Sequence, residues 1–263
     1  MTKNTIRSLT RAKSENRKFA TVTAYDATFS KLADEAGIEC ILVGDSLGNV
    51  VQGRKSTVPV TLEEMAYHTS IVTMGCERAL VMADMPFMSY ATPEQAINSA
   101  AELMQSGAQI VKLEGASWLI DTLSFMSERG IPVCGHLGLL PQSVDKTGGY
   151  FIQGKELETA DKILSDATAY AQAGADMLLL ECVPADLAKK ITESVDIPVI
   201  GIGAGVHTDS QVLVIYDLLG LSTRTPSFVK NYMQESQSVQ DALERYASEV
   251  REGAFPNDRY TPA

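Results

Sequence analysis

Asp45, Asp84, Glu114, His136 and Glu181 each stand at or beside the end of a short apolar run: CILVGD, LVMAD, IVKLEG, PVCGH and MLLLE. Side chains alternate along an extended strand, so residues of equal parity share a face. Lys112 then points the same way as Glu114, one layer deeper, and Cys134 the same way as His136. A carboxylate after an apolar run has a mundane use, capping the next helix or starting a turn. Five ionisable run ends in one chain exceed that use. The three carboxylates of consecutive runs, Asp45, Asp84 and Glu114, repel one another unless protons or a cation compensate. An oxygen-rich, histidine-free set suits a hard ion such as Mg2+ rather than zinc, and Mg2+ keeps few protein ligands. A 2-oxo acid fits such an opening through a carboxylate oxygen and its keto oxygen, which stabilises the enolate left when the adjacent carbon loses its proton. Glu181, from a run across the fold, is the natural general base, and burial between Leu180 and Cys182 raises a carboxyl pKa toward a useful range. Lys112 can pair with Glu114 or with a substrate carboxylate. His136 can orient substrate, relay a proton, or serve as a hydrogen-bonded structural histidine.

These residues need elements that bring them together. Eight apolar runs rich in β-branched residues, at 19–26, 40–46, 80–87, 109–115, 131–138, 177–183, 197–205 and 212–220, alternate with helical stretches. Near-continuous apolar strands separated by helices indicate a parallel sheet covered on both faces. Eight in 263 residues match a (β/α)8 TIM barrel, one domain over 1–263, with active-site residues at the C-terminal strand ends. A doubly wound sheet would carry a Gly-rich turn after the first strand, where this chain reads AYDATF. The last run, 212–220, reads as strand or helix. Thr92 and Pro93 open a helix over 92–108 that Gly107 closes; a second, over 157–176, closes at Gly174. A lead-in helix is expected at about 4–16 and a helical tail at about 226–252. Two long connections, 47–62 and 137–156, follow strand ends, the second holding the Gly148-Gly149 pair.

Acids outnumber bases by 33 to 22, a net charge of −11, which opposes a nucleic-acid or anionic-membrane partner. Residues 1–18 run the other way, with six bases against Glu15. That arm lacks the apolar core of a secretory signal and reads as an amphipathic helix rather than a transit peptide. No stretch is long and apolar enough to span a membrane. The four cysteines show no metal or redox spacing and read as reduced, buried thiols of a cytoplasmic enzyme.

The segments TAYDATFSKLADEAGI, LVGDSLGNVVQGRKSTVPVT, ADMPFMSYATPEQA, VKLEG, IPVCGHLGLLPQSV, GGY, LLLECVP and IPVIGIGAG occur in this order over residues 5–220. Together they resemble the ketopantoate (3-methyl-2-oxobutanoate) hydroxymethyltransferase family. The resemblance implies a Mg2+-dependent barrel enzyme of pantothenate, hence coenzyme A, biosynthesis. It would move a one-carbon unit from 5,10-methylenetetrahydrofolate to 3-methyl-2-oxobutanoate, giving 2-dehydropantoate and tetrahydrofolate. By position it implies Asp45 and Asp84 as direct metal ligands, with Glu114 acting through water. Substrate contacts would be Asp45, Ser46, Asp84, Lys112 and His136, and Glu181 would accept the proton. It also implies a homo-oligomer, a decamer. The chain departs at Ser210, where the family carries glycine, and in part of LSTRTPSFVKNY. Tyr25, Phe87, Met88 and Leu139 are apolar candidates for the folate pocket. The glycines of GIGAG (201–205) suit a ligand loop or tight packing equally. A Mg2+-dependent lyase or aldolase of 2-oxo acids, needing no folate, is the nearest alternative; a non-catalytic binding barrel is a remoter one.

Overall fold

The computed structural model describes residues 3–261. The outermost residues of the expected 1–263 domain, 1, 2, 262 and 263, lie outside them. Eight parallel strands close in sequence order: β1 (Phe19–Thr23), β2 (Cys40–Val43), β3 (Leu80–Asp84), β4 (Ile110–Glu114), β5 (Val133–Gly138), β6 (Met177–Glu181), β7 (Val199–Ile202) and β8 (Ser210–Leu213). The ring shuts where Phe19 lies opposite Ser210. This is the expected (β/α)8 barrel.

The apolar runs explain it. One parity, including Phe19, Leu42, Met82, Ile110, Leu179 and Val212, fills the barrel interior, and Leu9 of the helix Ile6–Ser14 joins that cluster. The other parity, including Val22, Ile41, Val81, Val111, Leu178 and Val199, packs outward beneath the helices. Both faces of each strand are therefore buried, as a parallel sheet requires.

The lead-in helix starts with a reciprocal cap: the Ser8 amide donates to Thr5 Oγ1 and the Thr5 amide to Ser8 Oγ. Its cations have local uses. Lys13 reaches Asp209 at 3.0 Å and donates to the Thr192 carbonyl, while Lys18 donates to the Val206 carbonyl. Lys13 and Lys18 thus fasten the arm to the N-terminal end of the barrel, while Arg11 and Arg17 pair with Glu15.

The helices Pro93–Gln105 and Leu157–Gln172 fall where expected, with Thr92 capping the first through the Gln95 amide, and a further helix spans Leu62–Gly75. Two expectations need correction. The run 212–220 straddles a boundary: the strand begins earlier, at Ser210, and Ile215–Leu218 is a single helical turn. Ser210 and Gln211 are polar yet buried because their side chains find partners within the barrel. Ser210 Oγ meets Thr21 Oγ1 at 2.9 Å, which accommodates the hydroxyl where the resembled family has glycine.

The tail over 226–252 is not one helix. A 3-10 turn at Tyr232–Glu235 precedes the helix Val239–Glu252, which Ser238 caps through the Asp241 amide. That last helix covers β1 and β8: the Tyr246 hydroxyl lies 2.8 Å from the carbonyls of both Thr21 and Gln211. All four cysteines are free, with Cys40, Cys134 and Cys182 buried. Among the described residues no helix is long and apolar enough to cross a membrane.

Candidate active site

Asp45, Ser46, Asp84, Lys112, Glu114, His136 and Glu181 all line one cavity of about 340 Å³ at the C-terminal mouth of the barrel. A larger open groove, about 1490 Å³, lies between the lead-in helix and the opposite barrel end, and contains none of them. Strand register sets the pairings. Asp84 stands opposite Lys112 between β3 and β4, and Glu114 opposite His136 between β4 and β5. Lys112 Nζ meets Asp84 Oδ1 at 3.0 Å, so the lysine's ion pair within the protein is with Asp84 rather than Glu114.

The Lys112 ammonium also lies 3.1 Å from His136 Nδ1. An ammonium only donates, so Nδ1 accepts and the neutral ring carries its proton on Nε2. Nε2 lies 3.4 Å from Glu181 Oε2. Burial and then the Lys112 charge hold the His136 pKa well below the ordinary histidine value, which keeps the ring neutral.

The carboxylates are sealed in as well. Burial, then the charge of Asp84, pushes Asp45 up to about 6. Burial raises Asp84, with Lys112 partly offsetting it, and raises Glu114 well above its usual value. Burial opposes the Lys112 charge, but Asp84, Glu114 and Asp45 outweigh it and hold the lysine above its ordinary value. Glu181 goes up to about 8, chiefly through burial.

Two features hold Glu181 in place. Its carbonyl accepts from the Leu139 amide at 2.8 Å, and a Cβ built on Gly138 (φ +95°) would lie 2.3 Å from that carbonyl oxygen. Only glycine fits that left-handed, close approach. The next residue, Cys182, takes φ +47°, a strained value for a side-chain-bearing residue at a strand end.

Asp45, Asp84 and Glu114 share the cavity without closing on one point: among the described residues no three His, Cys, Asp or Glu side chains form a ready ion cage. The donor set nevertheless suits a hard cation. Asp84 Oδ2 accepts from the Asp45 amide, Asp45 Oδ2 from Gln142 Nε2, and Glu114 Oε1 from the Gln142 amide. Glu114 Oε2 is buried and takes no hydrogen bond, and Asp84 Oδ1 is held only by the Lys112 ammonium. Three buried carboxylates with one lysine among them leave negative charge that a divalent ion offsets.

Ser46 lines the cavity, and its hydroxyl meets that of Tyr25 at 2.8 Å. Of the apolar folate candidates, Tyr25 and Leu139 are buried beneath the mouth, while Phe87 and Met88 are exposed; none of the four lines the cavity. Tyr150 and Arg224 do line it, both on connections outside the strands. Gln142, buried on the 3-10 turn Pro141–Ser143, was also missed, since a loop has no periodicity to expose an inward polar residue. Pro141, which starts a tight turn three residues past β5, was the available signal.

The model of a family described as ketopantoate hydroxymethyltransferase matches residues 3–258. The 3-methyl-2-oxobutanoate hydroxymethyltransferase of Idiomarina loihiensis is 55% identical over 261 residues, 99% of this chain and 98% of its own. That of Vibrio atlanticus is 54% identical over 264 residues, covering 100% of both chains. Among solved structures, 2,3-dimethylmalate lyase, a PEP mutase/isocitrate lyase superfamily member, superposes with a TM-score of 0.61 over 82% of each chain. At 17% identity that likeness concerns the fold.

Proposed function

The chain belongs to the ketopantoate hydroxymethyltransferase family, and from that premise we propose that it transfers a hydroxymethyl group from 5,10-methylenetetrahydrofolate to 3-methyl-2-oxobutanoate. The products are 2-dehydropantoate and tetrahydrofolate, a step toward pantothenate and coenzyme A. The observation that carries this reading is one cavity in which Glu181, raised to about 8, shares space with three buried carboxylates and Lys112.

Asp45, Asp84 and Glu114 are the residues that would hold Mg2+, which when bound supplies a Lewis acid for the keto oxygen and favours the enolate. Lys112 offers its buried charge to the substrate carboxylate, and Ser46 offers its hydroxyl. Glu181 removes the C3 proton; a carboxyl with a pKa near neutrality is matched to that transfer. His136, neutral, stands with Nε2 3.4 Å from Glu181 Oε2, beside the base without adding a charge to it. The electron pair left on C3 forms the new bond to the donor's methylene carbon. Both carbon–nitrogen bonds of that methylene break in turn, one as the folate ring opens before the attack and the other as water adds the hydroxyl oxygen of the product. The two folate nitrogens take up the proton from C3 and one from water.

The same reading makes the protein a cytoplasmic homodecamer, a state that light scattering measures. Incubation of the enzyme with 3-methyl-2-oxobutanoate tests the reaction itself. 2-Dehydropantoate should form only when methylenetetrahydrofolate is present; cleavage of a 2-oxo acid without folate would favour a lyase instead.

A further inference from the structure

We propose that Gln142 is a positioning residue that orients two of the three carboxylates for ligation, an inference that rests on Asp45, Asp84 and Glu114 holding a hard divalent cation. The turn Pro141–Ser143 brings Gln142 back over the mouth of the barrel, where 5% of the residue remains exposed. Its Nε2 donates to Asp45 Oδ2 and to the Met85 carbonyl, both at 2.9 Å, and its backbone amide donates to Glu114 Oε1 at 2.8 Å. Its Oε1 accepts from the Tyr90 hydroxyl. The Met85 carbonyl can only accept, so it fixes which end of the amide faces Asp45.

One residue thereby ties together the C-terminal ends of β2, β3, β4 and β5. With the Asp45 amide on Asp84 Oδ2, each of the three carboxylates has one oxygen held by an N–H. The second oxygen of Glu114 receives no hydrogen bond, while that of Asp84 faces the Lys112 ammonium at 3.0 Å. Fixing one oxygen presents the second for single-oxygen ligation and removes the cost of ordering it when an ion arrives. The chemistry of the holder matters. A lysine or arginine in this place would orient the carboxylates but cancel the charge that draws the cation; a neutral amide orients without cancelling. A glutamine serving only its own burial would need partners, but not two oxygens from two different carboxylates.

The test uses Mg2+ alone as the probe, titrated by calorimetry into the full-length wild-type chain and into Gln142→Met, Gln142→Ala and Tyr90→Phe. Methionine keeps the volume and removes the donor. Loss of such an outer contact typically weakens metal binding about 10–100-fold, and that is the loss expected for Gln142→Met and Gln142→Ala. Exchange of the substrate C3 proton should fall at low Mg2+ and recover toward wild type at saturating Mg2+, a split that a general packing defect would not produce. Tyr90→Phe, which frees only the Oε1 end of the amide, should weaken Mg2+ several-fold and serves if Gln142→Met does not fold. Wild-type Mg2+ affinity in the folded variants, whatever their melting temperatures, would overturn the assignment. A wild-type chain that takes up no Mg2+ would overturn the cation reading itself, and Gln142's role with it.

Discussion

Lys112 and Asp84 face each other across the β3–β4 register and meet at 3.0 Å, with only 6% and 5% of their side chains open to solvent. The pair stands among Asp45, Glu114 and Glu181, so this lysine is the buried cation of an acidic cavity. Removing one partner of a buried pair leaves the other's charge uncompensated.

Lys112→Met should therefore lower stability by about 3–5 kcal/mol near neutral pH. The deficit should shrink as the pH falls, because the carboxylates that burial has raised then take up protons. Urea denaturation at two pH values measures both effects. A loss independent of pH would show that Lys112 acts through packing alone.

The pH dependence of proton abstraction follows from Glu181. Burial pushes this carboxyl up to about 8, and only its ionised form accepts a proton. Exchange of the substrate C3 proton should climb about tenfold per pH unit on the acid side and level off above the Glu181 pKa. NMR exchange rates across a pH series measure this. A profile that declines as pH rises toward 8 would contradict the assignment.

The same burial makes Glu181 a cost to the folded state. Below its ordinary value of 4.5 both folded and unfolded chains hold the proton; between 4.5 and about 8 the folded chain keeps a proton that the unfolded chain releases. Stability tied to that proton is therefore lost as pH rises through this window. Glu181→Gln, neutral throughout, should melt several degrees higher than wild type at the upper end and about equally at the lower. Scanning calorimetry at the two ends decides it.

Gly138 supports the base through the backbone. Its φ of +95° and the 2.3 Å separation a Cβ would have from the Glu181 carbonyl leave no room for alanine. Gly138→Ala should lower stability by about 1–3 kcal/mol. It should also reduce exchange more than substrate binding, since the Glu181 end of β6 must shift. Unchanged exchange would mean that the loop absorbs the methyl group elsewhere.

The barrel was legible because a strand buried on both faces writes itself as a continuous apolar run, and the turn from strand to helix is marked by caps such as Thr92. β8 was misplaced where that rule fails: Ser210 and Gln211 are buried through side-chain hydrogen bonds that composition does not display. The strand-end acids, Lys112 and His136 were legible because parity and position put them at one mouth. Their pairings were not, since whether Lys112 faces Asp84 or Glu114 depends on inter-strand register. The burial of Tyr25 and Leu139 was not legible either, because an apolar residue beside a strand end lies under the mouth as readily as in it. Gln142 came from a loop, where no periodicity marks which side chains turn inward.

The most direct test of the account is exchange of the C3 proton of 3-methyl-2-oxobutanoate into D2O, followed by NMR for wild type and Glu181→Gln at equal Mg2+. A positioned general base is typically worth about 10²–10⁴-fold. The account predicts a loss of that order in the variant, with binding of Mg2+ and of the 2-oxo acid retained. Exchange near the wild-type rate would contradict it and remove Glu181 from the role of base.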